Sequence, residues 1–153
     1  MSIIMSEDHT LSVFIDANVL LDIYDETRVF HTDSLKSITA LAERYDVVLF
    51  TSCDIITTLY YVLAKNNKAH ALEMILDISE LCDIVEFSNK EVLKSCEMMM
   101  LENSPYKDLE DTIQFVLAQK ARCKLILSND KKFVSPTVEL LTTKKYASKL
   151  SKL

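Results

Sequence analysis

The chain has 153 residues and no glycine, where average usage of about 7% would supply roughly eleven. A Walker A loop, a dinucleotide-binding fingerprint and a nucleophile elbow all need glycine at fixed places, so all three are excluded. A net charge of −6 argues against a surface that coats DNA, but not against an acidic, cation-filled site that cuts nucleic acid, because bound metals invert the local field.

With 49% hydrophobic and 26% charged residues, the composition suits one soluble globular domain spanning residues 1–153. Residues 1–10 read as a loose N-terminal segment. Val13 to Ile15 is an apolar run that ends at Asp16 and predicts a buried strand. Val19, Leu20, Ile23 and Tyr24 follow at helical spacing, and Leu35, Ile38, Leu41 and Ala42 form a second helical stripe. Val47 to Phe50 is too short for a helix and predicts a strand. Ile55, Leu59, Val62 and Leu63 predict a helix face ending near Asn66-Asn67. Leu72, Ile75, Leu76 and Ser79 predict the inner face of the next helix. Ile84 to Phe87 reads as a short strand, and Ser88 with Glu91 three residues later forms a capping box for a methionine-rich helix. Pro105-Tyr106-Lys107 breaks the chain. Asp108 then caps a helix with apolar face Leu109, Ile113, Val116 and Leu117, and Leu125 to Leu127 is a further strand. Residues 137–153 read as a terminal helix with a basic end.

Strands alternating with helices predict a three-layer α/β/α sandwich around a mostly parallel sheet. The four cysteines, Cys53, Cys82, Cys96 and Cys123, have no CxxC spacing and no nearby histidine. Free thiols in a reducing cytoplasm are expected, rather than a zinc site or a disulfide framework. No segment is long and apolar enough to span a membrane.

In parallel α/β sheets ligands bind at the carboxyl ends of strands, and that rule selects three acidic clusters. Asp16 ends the first strand, with Asn18 and Asp22 close behind. Asp108, Glu110 and Asp111 start a helix. Asp130 follows the Leu125–Leu127 strand, in the turn Ser128-Asn129-Asp130. Taken alone, each is also a helix cap, a dipole-complementing surface acid or a turn. Together they form a convergent set of carboxylates that repel one another unless a hard divalent cation joins them.

The segments FIDANVLLD, DLEDTIQFVLA and LILSNDKKF resemble, in order and spacing, those of the PIN-domain ribonucleases, many of which are toxin halves of toxin–antitoxin pairs. The resemblance runs from Val13 to about Leu141. It implies a PIN-like fold and a Mg²⁺- or Mn²⁺-dependent endoribonuclease acting on RNA in the cytoplasm. An antitoxin protein and a second copy in a homodimer are the implied partners, and no membrane is involved. It implies catalytic and metal-holding roles for Asp16, Asp111 and Asp130, with Asn18, Asp108, Glu110, Ser128 and Asn129 in support. Many members carry a glutamate in the helix after the second strand, where this chain has Thr58. Asp54, one turn earlier, reads first as that helix's N-cap and second as a substitute carboxylate. Arg122, Lys124, Lys131 and Lys132 are candidates for contacts with the RNA backbone, or plain solvated lysines and arginine. Two other readings remain at this point. One is a non-catalytic binding module that keeps the fold. The other is a haloacid dehalogenase-like phosphatase with Asp16 as nucleophile, which Asn18 disfavours because that chemistry wants an acid two residues on.

Overall fold

The computed structural model describes residues 10–152, so the expected loose segment lies outside the described residues except for Thr10. The chain runs β1 (Leu11–Ile15), α1 (Ala17–Tyr24), α2 (His31–Ala42), β2 (Val47–Ser52), α3 (Ile55–Leu63), α4 (Lys68–Leu81), β3 (Asp83–Val85), α5 (Asn89–Met100), α6 (Leu109–Lys120), β4 (Leu125–Leu127), β5 (Glu139–Leu141) and α7 (Thr143–Leu150). The strands form one sheet in the order β3-β2-β1-β4-β5, and every pairing is parallel.

Strand side chains alternate between the two faces. Val13, Ile15, Leu49, Leu125 and Leu127 pack on one side with Leu20, Ile38, Leu59, Ile78 and Tyr146, from α1, α2, α3, α4 and α7. Phe14 and Ile126 point the other way and pack with Ile113, Phe115 and Leu117 of α6. The result is the expected three-layer sandwich, wholly parallel rather than mostly so.

Three sequence expectations need correction. Residues 137–153 are not one helix: Glu139–Leu141 is a fifth strand beside β4, and α7 begins only at Thr143. In α4 the buried residues are Ala71, Met74 and Ile78, while Leu72 and Leu76 are 54% and 64% exposed. In α6 every residue from Thr112 to Ala118 is buried, and Leu109 faces out. That helix lies between the sheet and α5, so it has no solvent face in its middle turns.

Turns that glycine usually makes are made by other residues. The C-terminus of α6 closes with Arg122 donating from its N–H to Gln119 O at 3.0 Å and Cys123 N–H to Ala118 O at 2.8 Å, with Arg122 at φ 56°. This is the Schellman arrangement, in which a left-handed residue follows the helix. A non-glycine residue there costs about 1–2 kcal/mol, part of which glycine would return as unfolded-chain entropy. Arg122→Gly is therefore expected to stabilise the chain by roughly 0.5–1 kcal/mol, read as a rise of about 2 °C in thermal denaturation. An unchanged or lower midpoint would contradict it.

The four cysteines are free, as expected. Burial pushes the thiols of Cys82 and Cys123 up to about 12, leaving them unreactive. Among the described residues no helix is long and apolar enough to cross a membrane.

Candidate active site

β1 lies between β2, which leads to β3, and β4, which leads to β5. The direction in which strands are added therefore reverses between β1 and β4. In an open parallel sheet the crevice for ligand opens beyond the carboxyl ends of those two strands. Asp16 follows β1 there, and Ser128-Asn129-Asp130 follows β4.

Asp16 is both the N-cap of α1 and the floor of this crevice. Its Oδ1 accepts from Ala17 N–H at 2.7 Å. Its Oδ2 accepts from Asn18 Nδ2 at 2.9 Å and from Ser128 Oγ at 2.7 Å. Burial raises its pKa, opposed by the hydrogen bonds from Ser128 and Ala17, and the nearby Asp130 carboxylate adds to the rise. The capping and site readings thus coexist in one side chain. Asn18 also closes off the phosphatase reading, because its amide donates to Asp16 and cannot serve as an acid.

The turn after β4 is fixed by side chains instead of glycine. Ser128 Oγ accepts from Asp130 N–H at 3.1 Å while donating to Asp16, and Asp130 Oδ1 accepts from Lys132 N–H at 2.9 Å. Asn129 N–H donates to Asn18 Oδ1 at 3.1 Å, stitching the turn to α1.

The third cluster arrives from the opposite layer. Asp108 caps α6, its Oδ1 accepting from Asp111 N–H at 2.9 Å. Asp111 is pushed up to about 7 by partial burial, by the negative charges of Asp16, Asp108 and Asp130, and by a hydrogen bond with Asp130 that needs Asp111 protonated. The charged groups that raise Asp111 are all acidic. Glu110 is raised as well, by burial and by Asp54, Asp16 and Asp108.

Asp54 stands at the N-cap position of α3, but its side chain makes no capping hydrogen bond. It accepts instead from Ser52 Oγ at the end of β2, and its charge reaches Glu110. The cap reading of Asp54 fails, and the carboxylate faces the acidic rim. Thr58 is exposed and lies with Thr57, Tyr61, Val62 and Lys65 in a shallow hollow on α3. The structure thus brings Asp16, Asp54, Asp108, Glu110, Asp111 and Asp130 to one rim and leaves Thr58 outside it.

A cavity of about 200 Å³ opens beside the rim, lined by Tyr106, Lys107, Asp108, Asp111, Thr112, Asp130, Lys132 and Val134. Of the basic candidates, Lys132 faces this cavity. Arg122 and Lys124 lie at the amino end of β4, where Lys124 N–H donates to Ser12 O at 2.9 Å, away from the rim. Lys107, also on the cavity wall, carries no sequence signal of its own.

Among the described residues, no three acidic, histidine or cysteine side chains converge tightly enough to cage a cation unaided. The rim still fits a hydrated one. Mg²⁺ keeps several waters and takes one or two carboxylates together with substrate oxygens. Asp111, which holds a proton near neutral pH because burial and neighbouring acids disfavour its charge, is the group such a cation would relieve.

One network is not visible in the sequence. The Asp22 carboxylate, buried under the turn, accepts from Arg28 Nε at 2.7 Å, Ser34 Oγ at 2.8 Å and Asn129 Nδ2 at 2.9 Å. Asn129 Oδ1 accepts from Thr143 N–H at 3.0 Å and Thr143 Oγ1 at 3.1 Å. The one sequence signal is Asp22 itself, inside a helix that otherwise reads as apolar.

Residues 13–137 match the PIN domain family. The chain is 48% identical over 142 residues to Ribonuclease VapC1 of Aquifex aeolicus (strain VF5), covering 92% of this chain and 96% of that protein. Its fold is similar to that of the Mycobacterium tuberculosis toxin VapC20, described as cleaving the sarcin–ricin loop, with a TM-score of 0.65 at 11% identity over 79% of this chain and 92% of that one. It is also similar to a chain of Rickettsia felis VapBC2 bound to a promoter DNA fragment, with a TM-score of 0.62 at 15% identity over 86% and 98% of the two chains. A parallel sheet with an acidic rim at its switch point and a family match over most of the length lead to one assignment: the chain belongs to the PIN-domain family.

Proposed function

We propose that this chain is a metal-dependent endoribonuclease that hydrolyses RNA phosphodiester bonds, and that it is the toxin of a toxin–antitoxin pair acting in the cytoplasm. The observation that carries this reading is the gathering of Asp16, Asp111 and Asp130 at the switch point, where burial and mutual repulsion push Asp111 up to about 7. The 48% identity to a protein named as a ribonuclease supports the choice of substrate.

Asp16, Asp111 and Asp130 would hold Mg²⁺ or Mn²⁺, directly or through water. When bound, such a cation activates water and steadies charge on a phosphate under in-line attack. Asp16 is set for this work by three hydrogen bonds that fix both its oxygens. Ser128 positions two acids at once, through its hydroxyl to Asp16 and from the Asp130 N–H. Asp111 must surrender its proton to take part, so occupancy of the site rises with pH. Lys107 and Lys132, on the cavity wall, are placed to meet backbone phosphate oxygens of RNA.

The antitoxin partner is proposed from the likeness to VapC proteins. A homodimer is proposed from the apolar side chains that α3 and α4 leave exposed, Tyr61, Leu72 and Leu76.

The test is cleavage of RNA by the purified chain with Mg²⁺ or Mn²⁺, against the same reaction in EDTA. Cleavage should stop in EDTA and fall by roughly 10²–10⁴-fold in Asp16→Asn, the range for removing one positioned catalytic group. Full activity in EDTA, or in both Asp16→Asn and Asp111→Asn, would overturn the reading.

A further inference from the structure

Gln114 lies one helical turn after Glu110 on α6, so the two side chains stack on one face. It is fully buried. Its Nε2 donates to Glu110 Oε1 at 3.4 Å, and the same side chain lies near enough to Asp16 to favour its charged form. Its Oε1 has no partner among the described residues. A buried amide oxygen left without a donor costs about 1–3 kcal/mol. Turning the amide over would set that oxygen against the Glu110 carboxylate, which is worse. The orientation is therefore imposed by Glu110, and the amide oxygen goes unsatisfied as a consequence.

Glu110 comes from the first turn of α6, and Asp54 and Asp16 come from the ends of β2 and β1. All three belong to the same rim, since both aspartates act on the Glu110 carboxyl. Left to itself, an exposed first-turn glutamate would swing toward water, away from two like charges. A donor anchored inside the protein is what keeps it at the rim. We propose that Gln114 is a positioning residue, whose buried amide anchors the Glu110 side chain and holds Glu110 as a fourth carboxylate of the cation site. This inference rests on the metal-dependent reading above and deepens it.

The experiment is calorimetric titration with Mn²⁺ at pH 8 of the unsubstituted chain, Glu110→Gln, Gln114→Met and the double variant. Methionine keeps the shape of glutamine and removes its amide. Each single variant should bind Mn²⁺ about tenfold more weakly, within the usual effect of groups that orient ligands. The double variant should bind little worse than Glu110→Gln alone, because Gln114 acts through Glu110. The melting temperature of Gln114→Met in EDTA should not fall, since the substitution removes an unsatisfied buried oxygen. Losses that multiply in the double variant, or wild-type affinity in Gln114→Met, would overturn the proposal. So would unchanged affinity in Glu110→Gln, whose first-turn position leaves folding intact. Absence of Mn²⁺ binding by the unsubstituted chain would instead overturn the metal-dependent reading itself.

Discussion

Asp111→Asn is expected to lower RNA cleavage by roughly 10²–10⁴-fold and, at the same time, to make the metal-free chain more heat-resistant above neutral pH. The two effects share one cause. Asp111 is held at about 7 in the folded chain, against 3.8 for an ordinary aspartate, by burial first and then by Asp16, Asp108 and Asp130. Between those two values the folded chain binds a proton that the unfolded chain does not. Stability therefore falls as pH rises through that window, and above about pH 7 the folded state carries the full repulsion. Asparagine has no proton to lose and removes this slope. In EDTA, the melting temperature of the unsubstituted chain should drop between pH 5 and pH 8 relative to that of Asp111→Asn. Adding Mg²⁺ at pH 8 should recover the difference in the unsubstituted chain only. Parallel pH profiles for the two proteins would contradict the assignment of Asp111 as the strained acid. Sites built from like charges trade stability for chemistry in this way.

The acids of the site are legible because a position rule finds them. An acid directly after an apolar run predicts a carboxylate at a strand's carboxyl end, and Asp16 and Asp130 both stand there. Asp54 escapes that rule because β2 continues through Ser52, two residues beyond the apolar run that ends at Phe50. The extension turns Asp54 from a helix cap into a third strand-end acid. Gln114 closes the DxEDxxQ pattern within the DLEDTIQFVLA segment, but its burial and its role are hidden for a different reason. A glutamine between Ile113 and Phe115 reads as a polar position on an amphipathic helix, and only the burial of the middle turns of α6 places it inside.

The fold is legible at the level of layers and illegible at the level of phase. In α4 two apolar stripes compete, Ala71-Met74-Ile78 and Leu72-Leu76, and both fit a helical period. The sheet selects the first, which Ile75 flanks as a partly buried neighbour of the core. Sequence periodicity cannot make that choice without knowing the surface opposite. The strand β5 carries only three residues, one of them Glu139, and follows β4 through residues 128–138 without a helix. A parallel pair usually announces itself by a crossover helix, and here that signal is missing.

Asn129→Asp should be among the most damaging single changes outside the carboxylates, although it adds only a charge to an isosteric side chain. Among the described residues, Asn129 is the one whose side chain ties the β4 turn to α1, α2 and α7 together. Its Nδ2 donates to Asp22 and Ser34, and its Oδ1 accepts twice from Thr143. Aspartate can still accept from Thr143, but it sets an oxygen against the Asp22 carboxylate, which is buried. Arg28 already serves Asp22 through Nε and gives the new charge no counterpart of its own. Setting an uncompensated charge against buried Asp22 from this half-buried position costs about 3 kcal/mol, the low end for a buried charge, which for a chain of this size lowers the melting temperature by roughly 10 °C. The turn that carries Asp130 should loosen with it, so Mn²⁺ affinity should fall even well below the melting point. The companion substitution Asp22→Asn separates charge from shape. In the double variant the amide introduced at position 22 donates to the carboxylate introduced at position 129. The network again holds one negative charge, and Thr143 keeps its acceptor. More than half of the lost stability should return, a coupling that thermal denaturation of the four proteins measures as a double-mutant cycle. Additive losses would mean that Asn129 matters for its fit alone, and that the charge of Asp22 is not what the turn is built against.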